Sequence, residues 1–122
     1  MSKLIDLYQN EPSVISLQPG EYLFREGEPS KETMYVLIAG KAEVRISHIT
    51  VEEAEPSAIV GEIGIIHPNE SRTASVIAMT PCDFVEIGPK RFDYLVSSAP
   101  EFAREVMRVL ADRLRRADRM IE

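Results

Sequence analysis

Between residues 13 and 87 the chain offers no long stretch of a single periodicity, only short β-prone runs separated by turns rich in Gly and Pro. The runs fall at 13–17, 22–24, 34–38, 42–49, 58–60, 73–79 and 83–87. Alternation is cleanest in Lys41-Ala42-Glu43-Val44-Arg45-Ile46, where one face is apolar and the other charged. Strands this short and numerous predict a sandwich or a barrel. From Pro89 onward the pattern turns helical. Pro89 suits the first turn of a helix over 89–97, and Pro100 opens a second that runs to the end. A short helix or helical turn is expected over 3–9, halted before Pro12. The expected class is mainly β with flanking helices.

Composition bounds this reading. With 122 residues, 44% of them hydrophobic, residues 1–122 are expected to form one domain around a single core. A net charge of −6 gives no overall pull toward nucleic acid or anionic lipid. The single cysteine, Cys82, has no partner within the chain for a disulfide and fits a reducing compartment. No apolar run approaches the roughly 20 residues of a membrane span, and Met1-Ser2-Lys3 leads into no signal-peptide core. These features predict a cytoplasmic domain without a membrane segment.

The most specific chemistry lies in Val60-Gly61-Glu62-Ile63-Gly64-Ile65-Ile66-His67-Pro68-Asn69-Glu70-Ser71-Arg72-Thr73-Ala74-Ser75-Val76. Glu62 and Arg72 stand ten positions apart with a Pro-Asn turn between them, and Arg72 is the only arginine or lysine from 57 to 79. Gly61 and Gly64 bracket Glu62 and Ile63, where backbone can approach a ligand that a Cβ would obstruct. If residues 62–66 form a helical turn, its first N–H groups are expected to be unpaired and to face an anion. Arg72 adds a two-pronged, permanently charged phosphate contact. Glu62 would be repelled by phosphate, so it is better used accepting a hydrogen bond from a sugar hydroxyl. A ligand with one anionic group beside one hydroxyl fits this pair, and a cyclic nucleotide is such a ligand. A triphosphate would call for the Gly-rich loop ending in Gly-Lys-Ser/Thr and a metal, and that loop does not occur.

This stretch resembles the phosphate-binding cassette of cyclic nucleotide-binding domains, the sensor modules of catabolite-activator-type regulators, cyclic-nucleotide-dependent kinases and cyclic-nucleotide-gated channels. The likeness extends upstream. Pro19-Gly20-Glu21-Tyr22-Leu23-Phe24-Arg25-Glu26-Gly27-Glu28 looks like the family's first turn and strand, and Met34-Tyr35-Val36-Leu37-Ile38-Ala39-Gly40-Lys41-Ala42-Glu43-Val44 like its glycine-punctuated hairpin. Downstream, Asp112-Arg113-Leu114 stands where some members carry a helical arginine near the base. The resemblance covers roughly residues 14–121. It implies a β-roll (jelly-roll) with a short N-terminal helix and two C-terminal helices. It also implies a sensor for cyclic AMP, with cyclic GMP left open because a threonine after the arginine, here Thr73, contacts guanine in some members. The binding residues it implies are Gly61, Glu62, Ile63, Gly64, Arg72, Thr73 and Ala74, with Glu62 at the ribose and Arg72 at the phosphate. Val44, Val51 and Val60 would wall the base pocket, and Arg113 would lie over the base. One departure is visible: the turn before the cassette, usually marked by a glycine, reads Glu55-Pro56-Ser57-Ala58.

In the last helix Ala103, Met107, Leu110, Leu114, Ala117 and Ile121 follow heptad spacing, while Phe102, Val106 and Val109 broaden the apolar face of its first half. Past Leu110 only the narrow seam remains, flanked by Arg113, Arg115, Arg116 and Arg119. The end of this helix is therefore expected to dock on its own domain, to form a lid over the ligand, or to make a homodimer contact.

Other classes fare less well. His48 and His67 are far apart and have no companion ligands, so no metal, cofactor or catalytic site is expected, and a cupin-like metal enzyme is disfavoured. Cys82 follows Pro81 at a turn with no nearby base. The chain holds no helix-turn-helix, so it is not expected to read DNA by that device. It ends within a helix with no terminating glycine, as a piece of a longer regulator, kinase or channel would. The effector it would inform is unknown. The serious alternative is an interaction module that keeps the fold without binding nucleotide; the presence of both Glu62 and Arg72 argues against it.

Overall fold

A computed structural model describes residues 13–67 and 69–121, with side chains to Arg116. The helix expected over 3–9 and Pro68 of the cassette lie outside the described residues. Among the described residues, eight strands form two four-stranded antiparallel sheets. The first contains β1 (Val14–Leu17), β8 (Cys82–Ile87), β3 (Met34–Ala39) and β6 (Ile59–Val60), in that order; the second contains β2 (Tyr22–Phe24), β7 (Ser75–Ala78), β4 (Ala42–Ile46) and β5 (Ile49–Ala54). A one-turn helix, α1 (Ile63–Ile66), sits between β6 and β7. Helices α2 (Pro89–Ser98) and α3 (Pro100–Ile121) follow β8.

The core is divided rather than single. Strand β3 reads as a continuous hydrophobic run because both of its faces are covered. Met34 and Val36 pack with Ile59, Val85, Ile87, Leu95, Phe102 and Val106 beneath the two C-terminal helices. Tyr35 and Leu37 point the other way, joining Val44, Val60, Val76 and Phe84 between the sheets. The period-2 alternation of a strand distributes neighbouring residues to the two clusters. Phe92 of α2 meets Phe102 of α3 edge to face, with centroids 5.8 Å apart, tying the helices together over the first cluster.

The run expected as one strand over 42–49 is a hairpin. β4 ends at Ile46, Ser47 and His48 turn with φ of 50° and 68°, and β5 returns with Ile49 opposite Ile46. Two-residue hairpin loops favour positive φ at both positions because that twist matches the strands. The turn therefore forms without the Asn-Gly signal that would have revealed it.

Candidate functional site

Val60 pairs with Tyr35 across β6 and β3, and Gly61, at φ 73°, turns the chain away from the sheet into Glu62 and α1. This turn is internally bonded. The Gly64 N–H donates to Gly61 O (3.0 Å), and the Ile65 and Ile66 N–H groups donate to Glu62 O (3.1 and 3.2 Å). The expectation of unpaired leading amides is thus corrected for these groups: the short turn spends their donors on its own closure.

The chain comes back to Arg72, whose backbone is clamped on both sides. Its N–H donates to Glu28 O (2.7 Å) and its carbonyl accepts from the Gly27 N–H (2.8 Å). The guanidinium runs inward and is 5% exposed. Nη1 donates to Thr33 O (3.0 Å) and Gly61 O (3.2 Å), and Nη2 donates to Thr33 Oγ1 (2.9 Å). The group lies 4.3 Å over the Phe24 ring, where the aromatic face offsets part of the cost of burying a cation. Burial pulls the Arg72 pKa below arginine's ordinary value, against the opposing pull of Tyr35, Glu28 and Glu62. The role expected of the glycines changes accordingly. A Cβ on Gly61 would stand 2.8 Å from Arg72 Nη1, and one on Gly64 would stand 2.7 Å from it and 2.6 Å from Thr33 O. Glycine at these positions makes room for the arginine.

Glu62 is 2% exposed. Its Oε1 accepts from Nη1 of Arg113 on α3, while its Oε2 has no partner. Arg113 also donates through Nη2 to Glu52 Oε2 (3.1 Å) and to Ile59 O (2.9 Å). Arg116 joins the network at Glu52 Oε1 (3.0 Å) and Val51 O (3.3 Å). Burial works against the charge on Arg113, but the facing carboxylates of Glu62 and Glu52 outweigh it and raise its pKa. Burial likewise pushes Glu52 up, and the two arginines more than reverse this, holding its carboxyl below the ordinary range.

Between α1, the β4–β5 hairpin and the second half of α3 lies a cavity of about 650 Å³, within the size range of small-ligand sites. All ten residues expected at a binding site, namely Val44, Val60, Gly61, Glu62, Ile63, Gly64, Arg72, Thr73, Ala74 and Arg113, line this one cavity, as does Val51. Two residues that line it each carry a buried polar atom without a hydrogen-bond partner: the acceptor Glu62 Oε2 and the donor Arg72 Nε. Buried polar groups are ordinarily satisfied, so such a pair marks a place for outside chemistry. Among the described residues no group of three or more His, Cys, Asp or Glu side chains is placed to hold a metal ion.

Residues 14–99 match the family model for the cyclic nucleotide-binding domain. The chain belongs to the cyclic nucleotide-binding domain family. It is 32% identical to the CRP-like cAMP-activated global transcriptional regulator of Mycobacterium tuberculosis, over 88% of this chain and 54% of that protein. It is 28% identical to the Pycsar effector protein XpPycTIR of Xanthomonas perforans, over 84% of this chain and 33% of that protein. The chain therefore spans between a third and about half the length of these curated relatives. Its fold is shared with a transcriptional regulator from Thermotoga maritima, with a TM-score of 0.81, 17% identity, and coverage of 99% of this chain and 95% of that one.

Beside the residues expected of a cyclic nucleotide-binding domain, the cavity includes several that sequence reasoning passed over. Ile46, Ile49 and Glu52 come from the hairpin, and Phe24 and Arg116 from elsewhere. The hairpin residues were hidden with their turn and Glu52 carried no local signal, whereas Arg116 was marked beside the seam though not as a site residue. The seam on α3 is also corrected. Phe102 and Val106 are buried, and Val109 and Leu110 pack at the edge of the core, whereas Met107 and Leu114 are 60% and 65% exposed. The helix docks through Phe102, Val106, Val109 and Arg113, leaving Met107 of the heptad stripe turned outward, while Leu114 lines the cavity.

Proposed function

We propose that this chain is a sensor that binds one cyclic purine nucleotide, cyclic AMP or cyclic GMP, in the cavity beneath α3. The observation that carries the reading is the pair of unpartnered buried atoms, Glu62 Oε2 and Arg72 Nε, on two residues that line a single cavity. A ribose hydroxyl donates to the first and a phosphodiester oxygen accepts from the second, so one ligand relieves both desolvation costs. The purine then lies among Val44, Val51, Val60 and Leu110, with Thr73 near the phosphate end, and residues 1–122 act as one domain. Arg113 is the link outward: it joins α3 to Glu62, so a ligand that engages Glu62 biases the position of the helix. No catalytic step is assigned to these residues, and the single cysteine fits a cytoplasmic setting.

A homodimer is supported by Met107, which the heptad stripe of α3 turns outward and which does not line the cavity. Sedimentation of Met107→Glu against wild type tests it, with loss of a dimer expected. The alternative reading, an interaction module that binds no nucleotide, predicts no change in melting temperature with either ligand. At ligand a hundredfold above its dissociation constant, binding instead stabilises the fold by about 2.7 kcal/mol, which is several degrees for a domain this small.

A further inference from the structure

Behind Arg72, away from the cavity, a chain of hydroxyl groups leads across the first sheet to a carboxylate. Arg72 Nη2 donates to Thr33 Oγ1 (2.9 Å), Thr33 Oγ1 donates to the Tyr35 hydroxyl (3.1 Å), and that hydroxyl donates to Glu86 Oε2 (3.1 Å). The direction is fixed at both ends, because a guanidinium only donates and a carboxylate only accepts. The Thr33 hydroxyl has a longer approach to Ser30 O at 3.4 Å. Its carbonyl takes a second bond from Arg72 at 3.0 Å, so a single residue grips two guanidinium nitrogens. Thr33 reaches this position through Lys31 and Glu32, which both adopt positive φ (58° and 54°), a costly conformation for residues other than glycine. Burial, with a smaller contribution from Glu86, raises the Tyr35 pKa, which keeps the phenol protonated and able to donate onward.

The geometry points to Thr33 as the residue that positions Arg72, with Tyr35 and Glu86 holding the Thr33 hydroxyl in the orientation that receives the guanidinium. This rests on the reading of Arg72 as the phosphate contact. Without the relay, Arg72 keeps its charge but loses the side-chain acceptor that fixes the plane of its fork, and with it the placement of the unpartnered Nε.

The test is a double-mutant cycle on the 122-residue chain, with cyclic AMP and cyclic GMP as probes. Thr33→Val keeps the β-branched shape and removes the hydroxyl. It is expected to weaken nucleotide binding about tenfold, the scale of one charge-assisted hydrogen bond. Thr33→Ser is expected to restore binding, and Tyr35→Phe to weaken it severalfold. In an Arg72→Ala background Thr33→Val should have no further effect, a non-additivity that a merely structural role would not produce. Wild-type affinity in Thr33→Val, or a loss that persists undiminished without Arg72, overturns the relay while leaving Arg72 as the phosphate contact. If the wild type binds neither nucleotide, the functional reading fails and nitrogen-edited NMR of the Arg72 side chain decides the relay by itself. Hindered rotation of the guanidinium in wild type that becomes free in Thr33→Val supports it; identical spectra overturn it.

Discussion

Arg113 on α3 donates to Glu62 at the foot of the cassette, bridging 51 positions of sequence with one ion pair. Each partner compensates the other's burial, so neither is a simple surface charge. Arg113→Ala leaves the Glu62 carboxylate buried with both oxygens unpartnered, at a cost of about 1–3 kcal/mol or more. Part of that cost is expected to appear as loosening of the end of α3. Hydrogen exchange should show faster amide exchange beyond Leu110 with the sheets unchanged. Uniform protection along α3 in the variant would mean that the pair does not hold the helix.

Gly64→Ala places a methyl 2.6 Å from Thr33 O and 2.7 Å from Arg72 Nη1. Overpacking of this kind costs about 1–3 kcal/mol, and the movable partner is the guanidinium, so nucleotide affinity is expected to fall together with stability. Gly88→Ala is the control, since a Cβ there meets nothing within 4 Å. Paired denaturation and binding curves separate the two, and equal behaviour of both variants would refute the packing argument.

Ser57 holds φ at 85° in the turn that precedes the cassette. Its N–H donates to Leu37 O at 2.8 Å, so the turn is bound to β3 and does not relax. Ser57→Gly removes the strain and adds some unfolded-state entropy, for a net stabilisation of about 0.5–1 kcal/mol. Chemical denaturation should show a higher midpoint with an unchanged slope; a lower midpoint would contradict the strain assignment.

Acid should release α3 through Glu52. Its carboxyl is held below the ordinary value of 4.5, the pull of Arg113 and Arg116 outweighing burial. A depressed carboxylate contributes stability that is fully present above its unfolded pKa and is lost as pH falls through its folded pKa. The contribution is therefore intact at neutral pH and declines only below about 4.5. Glu52→Gln should flatten that part of the pH–stability curve, and an acid limb of unchanged steepness would count against it.

Much of this was legible in the sequence because it is local. The cassette, the turn glycines and the prolines at 89 and 100 each act through neighbouring residues, and the eight site residues marked within the cassette stretch line one cavity, with Val44 and Arg113 added from the family resemblance. What escaped depends on the tertiary fold. Ser47 and His48 adopt a hairpin turn that their side chains do not advertise. Met107 and Leu114 share a heptad stripe with Leu110, yet the sheet beneath selects the neighbouring stripe through Phe102 and Val106. Glu52 meets Arg113 across 61 positions, and no periodicity encodes that meeting. Thr33 belongs to no motif of the sequence, and only the path of Arg72 picks it out.

The central claim is that Glu62 and Arg72 together receive a cyclic nucleotide, and calorimetric titration of the wild-type chain and Arg72→Lys with cyclic AMP and cyclic GMP tests it most directly. Lysine keeps the charge but loses the planar fork that three hydrogen bonds and the Phe24 ring hold in place. The account predicts one nucleotide per wild-type chain and an affinity about ten- to a hundredfold weaker in Arg72→Lys. No binding of either nucleotide by wild type at millimolar concentration, or equal affinity in the folded variant, would contradict it.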